Sequence, residues 1–169
     1  WHSQNKPLKS FTPEMLDAIA KGDRARKKLT KALHDGGARI LLGTDCLNPF
    51  VVHGFSLHEE LHNFVDAGLT PYQAIKAGTH DGAEFFDALD EWGTVAVGRR
   101  ADLILVEANP LENLKVLYGT GHFRLGDDGQ PTRVGGVKYT IKDGVVYDAK
   151  ELLADVRKIV AEAKADTAR

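Results

Sequence analysis

Sulfur is nearly missing from this chain: among 169 residues there is one cysteine, Cys46, and one methionine. A single thiol closes no internal disulfide and excludes a thiolate-rich metal site. No Cys-His-Asn pattern supports a catalytic thiol, so Cys46 reads as a small buried residue. Long apolar runs are missing too. Nothing approaches the ~20 residues of a membrane-spanning helix, and the start carries no signal-peptide pattern. A cytoplasmic location and no membrane partner are therefore expected. The chain starts at Trp1 rather than Met, so its native N-terminus is expected to lie upstream. An excess of charge is absent as well: 22 Lys and Arg face 24 Asp and Glu, a formal net charge of −2. Together with the lack of a basic patch interleaved with aromatics, this excludes an electrostatic case for nucleic acid. Internal repeats and low-complexity segments are also lacking.

What is present is enough to bury a core, since 43% of the residues are hydrophobic. Residues 1–10 read as a polar connection. Thr12-Pro13 then opens a helix, with Thr as cap and Pro at a position whose N–H is dispensable. Its apolar face is Met15, Leu16, Ile19 and Ala20, continuing through Leu29 and Leu33, with Gly22-Asp23 as an expected interruption. Gly36-Gly37 stops it. Arg39 to Leu42 follows as a short apolar strand, halted by Gly43 and ending in Asp45. A helix, a two-glycine turn and a buried strand form an αβ unit, and an acid at the end of such a strand is a catalytic position in α/β enzymes. The plainer reading of Asp45 is a cap or turn residue.

Residues 46–55 read as a loop. Ser56-Leu57-His58-Glu59 has capping-box spacing and heads a helix on Leu57, Leu61, Phe64 and Val65. Thr70-Pro71-Tyr72-Gln73 is a second capping box, followed by a short helix ending at Gly78 and another over Asp81–Leu89. Near Trp92 the texture turns to strands at Thr94–Val97, Asp102–Val106 and Val137–Ile141. Asp143-Gly144 makes a hairpin turn into Val145–Tyr147. Residues 118–136, with six glycines, read as a long loop. Gly119-Thr120-Gly121 within it lacks the Lys-Ser/Thr of a phosphate loop. Lys150 to Ala168 reads as an amphipathic helix on Leu152, Leu153, Val156, Ile159, Val160 and Ala163, packing by default on its own domain.

The set Gly43-Thr44-Asp45, Ala67–Pro71, Ala74–Thr79, Gly93–Val106, Asn109-Pro110-Leu111 and Lys142-Asp143-Gly144 resembles the metal-dependent amidohydrolase superfamily. It is most similar to the branch of prolidase-like and imidazolonepropionase-like enzymes, over roughly residues 25–150. The resemblance implies an α/β fold: the C-terminal part of a (β/α)8 TIM-like barrel, the C-terminal strands of a small β-sandwich, and a terminal helix. Residues 39–45 would be the eighth barrel strand. The implied division is 1–91 for the barrel part, 92–149 for the sandwich part and 150–169 for the helix.

By the same resemblance Asp45 is the catalytic aspartate, ligating or approaching the metal. It would take a proton from metal-bound water and deliver it to the departing amine. A divalent metal lowers the pKa of bound water from near 16 to about 7, which a neighbouring carboxylate can exploit. The implied cofactor is one or two divalent ions, zinc foremost, in a full-length parent. The implied substrate is a small amide or peptide-like molecule, whose C–N bond is hydrolysed. His53, in the loop after Asp45, is a candidate substrate contact or a plain loop histidine.

The family's His-x-His pair and its other metal ligands are absent, so this chain resembles the last two-fifths of such an enzyme. The isolated chain is expected to be inactive, to bind no metal tightly, and to pair with a missing N-terminal part of the same protein or with a second copy. A non-catalytic fragment or pairing module is one alternative. A zinc metallopeptidase on His58-Glu59-x-x-His62 is another: a spacing of four puts both imidazoles on one helix face, with Glu59 as base and Glu84 as a conceivable third ligand. The simpler reading makes Glu59 the capping partner of Ser56 and the histidines flanks of an apolar stripe.

Overall fold

The computed structural model describes residues 11–46, 48 and 51–167. The connecting segment expected over residues 1–10 lies outside them, as do Pro49 and Ala168. Helix α1 spans Pro13–Asp35, with the Thr12 hydroxyl accepting from the Met15 N–H at 3.3 Å. It runs through Gly22-Asp23 without the expected break, carrying i,i+4 pairs Asp17–Lys21, Asp23–Lys27 and Lys31–Asp35 along its exposed side. Gly36 caps it, and Gly37 takes φ 84°, the left-handed turn that glycine tolerates.

Three short helices follow: α2 (Phe55–Asp66), α3 (Pro71–Ala77) and α4 (His80–Phe85). The capping box at Thr70 forms in full. Its hydroxyl accepts from Gln73 N–H at 3.2 Å, while the Gln73 side chain accepts from Thr70 N–H at 2.8 Å. The expected box at Ser56 does not form. Helix α2 starts two residues earlier, with Gly54 at the cap, so Ser56 sits buried within its first turn. There its hydroxyl accepts from Val52 N–H and donates to Glu59.

A mixed α/β fold results. The core joins Leu61 and Phe64 of α2, Leu69 from the connection that follows, Ala74 and Ala77 of α3, and Leu114, with Ile40 and Leu42 packed against it. The β part contains β1 (Leu103–Val106), β2 (His122–Leu125), β3 (Pro131–Val134), β4 (Val137–Lys142) and β5 (Val145–Asp148). β1, β4 and β5 form an antiparallel sheet in the order β1-β4-β5. Asp143 and Gly144 both have positive φ at the β4–β5 turn, as a type I′ hairpin requires. Helix α5 (Ala149–Thr167) runs on from β5.

Four further expectations need correction. Residues 39–45 pair with no strand among the described residues: a strand exists by its partner, and the neighbouring chain is the Ala77 carbonyl of α3, which accepts one bond from Leu42 N–H at 3.3 Å. Thr94–Val97 likewise enters no sheet, leaving Val95 85% exposed and Val97 fully so. Residues 118–136 are not one loop. A 3₁₀ turn at Leu114–Leu117 leads into the β2–β3 hairpin, which turns at Gly126–Gly129. Finally, α5 touches β4 and β5, yet Leu152, Val156, Ile159 and Val160 stay exposed.

Candidate active site

Asp45 ends an extended segment fastened to α3 at one point. Leu42 gives its N–H to Ala77 and its side chain to the core, and Gly78 permits the approach. A Cβ on Gly78 would lie 2.8 Å from Leu42 Cδ2. Three residues on, Asp45 takes φ 47°, a left-handed conformation that aspartate accepts more readily than most side chains. Its carboxylate is exposed, and Asn48 Nδ2 donates to Oδ2 at 2.6 Å and to the backbone oxygen at 3.2 Å. One carboxylate oxygen is thus oriented by an amide, and among the described residues the other has no partner and can exchange a proton with a ligand. The Asn48 partnership was not foreseen, although the Asp-x-x-Asn spacing carries it. Cys46 is half-buried with its sulfur 3.0 Å from the Thr44 hydroxyl, in keeping with a packed rather than reactive thiol. His53 is exposed in the turn before α2, and among the described residues nothing joins it to Asp45.

His58 and His62 do share one face of α2, but that face is closed by an aromatic ring. Tyr118 lies 5.0 Å from the His58 ring and 6.2 Å from the His62 ring, centroid to centroid, with Phe55 completing the cluster 5.9 Å from Tyr118. Burial, followed by the charge of His62, pushes the His58 pKa down. Nδ1 of His58 and Nε2 of His62 are buried without a hydrogen-bond partner among the described residues. Glu59 accepts from Ser56 at 3.3 Å. No third donor joins the pair: among the described residues the one cluster of three metal-ligating groups is His80, Asp81 and Glu84. Glu84, the conceivable third ligand, belongs to that cluster.

The His80–Asp81–Glu84 group carries its own counter-ions. Lys76 and His80 both bond Asp81 Oδ1, and Arg39 reaches Glu84 at 3.4 Å. Burial raises the Asp81 pKa, but the bonds from Lys76 and His80 outweigh it and hold the carboxyl below its usual range. These pairs tie α4 to α3 and to the start of the 39–45 segment. Sequence spacing hinted at the cluster through His-Asp-x-x-Glu, since i and i+4 share a helix face.

A family model described as "Amidohydrolase family" matches residues 8–147 of this chain. An imidazolonepropionase of Haloarcula marismortui is 34% identical over 112 residues, covering 66% of this chain and 26% of that protein. An imidazolonepropionase of Geobacillus sp. (strain WCH70) is 32% identical over 105 residues, covering 62% of this chain and 23% of that one. The solved bottromycin amidohydrolase superposes with a TM-score of 0.66 at 26% identity, over 90% of this chain and 29% of its own. A Xaa-Pro dipeptidase with bound methionine in its active site gives 0.55 at 26% identity, over 72% and 25%. The chain spans about a quarter of the length of the curated relatives it matches.

Proposed function

The chain belongs to the amidohydrolase family, and on that premise we propose that it is the C-terminal part of a metal-dependent hydrolase of C–N bonds. The observation that carries the reading is Asp45. It is an exposed carboxylate on an anchored segment, with one oxygen held by Asn48 and no partner on the other among the described residues. Such a group can accept a proton from an attacking water and return it to the departing amine. Small amide or peptide-like molecules are the proposed substrates, in line with the names of the dipeptidase and the amidohydrolase that share the fold. His53 is the proposed substrate contact at the rim.

The metal that the family implies, zinc in this reading, does not fit the residues at hand. Asp45 belongs to no cluster of three donors among the described residues, and one carboxylate cannot hold a catalytic ion. Metal ligation would fall to chain beyond these 169 residues. In the same reading residues 1–91 are the barrel part, with 39–45 as a barrel strand, 92–149 are the sandwich part, and 150–169 are the C-terminal helix. A cytoplasmic location is part of the same proposal.

Exposed apolar side chains support the pairing half of the reading. Met15, Leu16, Ile19, Leu29 and Leu33 line α1 without burial, and Val95 and Val97 stand unpaired. Faces of this kind fit an element that completes itself against further chain. The test is metal content and dipeptidase or amidase turnover, measured for the isolated chain and for a longer protein containing it. Turnover in the longer protein alone is expected. Stoichiometric metal with turnover in the isolated chain would overturn the division of labour.

A further inference from the structure

A cavity of about 340 Å³ opens where α5 crosses the ends of β3 and β4, beside the turn that holds Gly119 and Thr120. Four cationic side chains line it: Arg133 from β3, Lys138 from β4, and Lys150 and Arg157 from α5. Glu107 is the one carboxylate on its wall. Among the described residues none of the four cations makes an ion pair. Arg133 is already oriented. It donates to the Thr120 carbonyl and lies over the Phe123 ring, 4.6 Å from the centroid. Lys138 stands 5.6 Å from the centroid of the Tyr139 ring.

We propose that this cavity binds a small, compact polyanion of the phosphate-ester class. Four unpaired cations facing one carboxylate leave a focused positive field, which concentrates anions at a concave wall. A monocarboxylate would neutralise too little of it, whereas a phosphate group brings about two charges and three acceptor oxygens. The guanidinium fork of Arg133 or Arg157 matches phosphate oxygens two at a time, and the lysines act as point charges. The volume suits a small molecule. Gly119-Thr120-Gly121 lacks the residues of a phosphate loop, and here the charge comes instead from three other elements converging on the turn.

Calorimetric titration of the whole chain with inorganic pyrophosphate and with acetate, at fixed ionic strength in a phosphate-free buffer, tests this. Saturable one-to-one binding of pyrophosphate is expected, at least about tenfold tighter than acetate. The double variant Arg133→Gln/Arg157→Gln should weaken it at least about tenfold, and Arg157→Gln alone, on the exposed face of α5, should weaken it measurably with the helix signal unchanged. Lys21→Gln/Lys28→Gln removes the same charge from α1 and should leave affinity within about twofold. Equal weakening by both double variants, or no preference over acetate, would mean diffuse surface charge and overturn the proposal. Sedimentation with phosphatidic-acid vesicles, in place of saturable binding to the free anion, would overturn it in favour of a lipid surface.

Discussion

Leu42 and Gly78 interlock: a Cβ added to Gly78 would sit 2.8 Å from Leu42 Cδ2 and 3.4 Å from Leu42 Cβ. Gly78 has φ −90°, so alanine meets no backbone strain there and the cost is the collision alone. Gly78→Ala should destabilise the fold by about 1–3 kcal/mol and push the 39–45 segment off α3. The clash needs the leucine. Adding Leu42→Ala should therefore recover part of the loss, and denaturant unfolding of the two single variants and the double variant would give a non-additive cycle.

The seam between α2 and Tyr118 should respond to pH. His58 has its pKa lowered in the folded chain by burial and by His62, so the unfolded chain binds more protons just below the ordinary histidine value. Its contribution is complete above about pH 6.5 and is lost as pH falls toward the lowered folded value. Glu60 acts with the opposite sign. Burial and then Glu59 raise its pKa, so its contribution is complete below the ordinary carboxylate value and is lost as pH rises through the raised one. Melting curves across pH 4–8 should show the His58 part vanish in His58→Gln, with the Glu60 part retained.

Val95 and Val97 should drive self-association. Both are β-branched, exposed and outside any sheet, a combination that offers an edge to another chain. Sedimentation of the isolated chain should show concentration-dependent oligomers, and Val95→Thr/Val97→Lys should shift it toward monomer. A clean monomer before substitution would contradict the expectation.

Local signals account for what was legible in the sequence. The caps at Thr12 and Thr70 and the Asp143-Gly144 turn each rest on neighbours within four residues, and each forms as read. Pairing is not local. Ile40–Asp45 and Thr94–Val97 have strand composition, yet composition says nothing of whether a partner stands alongside. The β2–β3 hairpin was missed because the glycines around it read as loop. Its Gly-Asp-Asp-Gly turn between two four-residue segments was the available signal. His58 and His62 show the reverse failure: spacing places two imidazoles on one face, but only the fold reveals that Tyr118 occupies that face.

The most direct test of Asp45 is turnover of a longer protein containing this chain, comparing Asp45→Asn with Glu59→Gln. Asparagine keeps the shape of the side chain and cannot carry the proton, so kcat should fall by about 10²–10⁴-fold with metal content unchanged. Glu59→Gln, which alters the bond to Ser56, should leave kcat within about twofold. Full activity in Asp45→Asn, or collapse of activity in Glu59→Gln, would contradict the assignment of the proton transfer to Asp45.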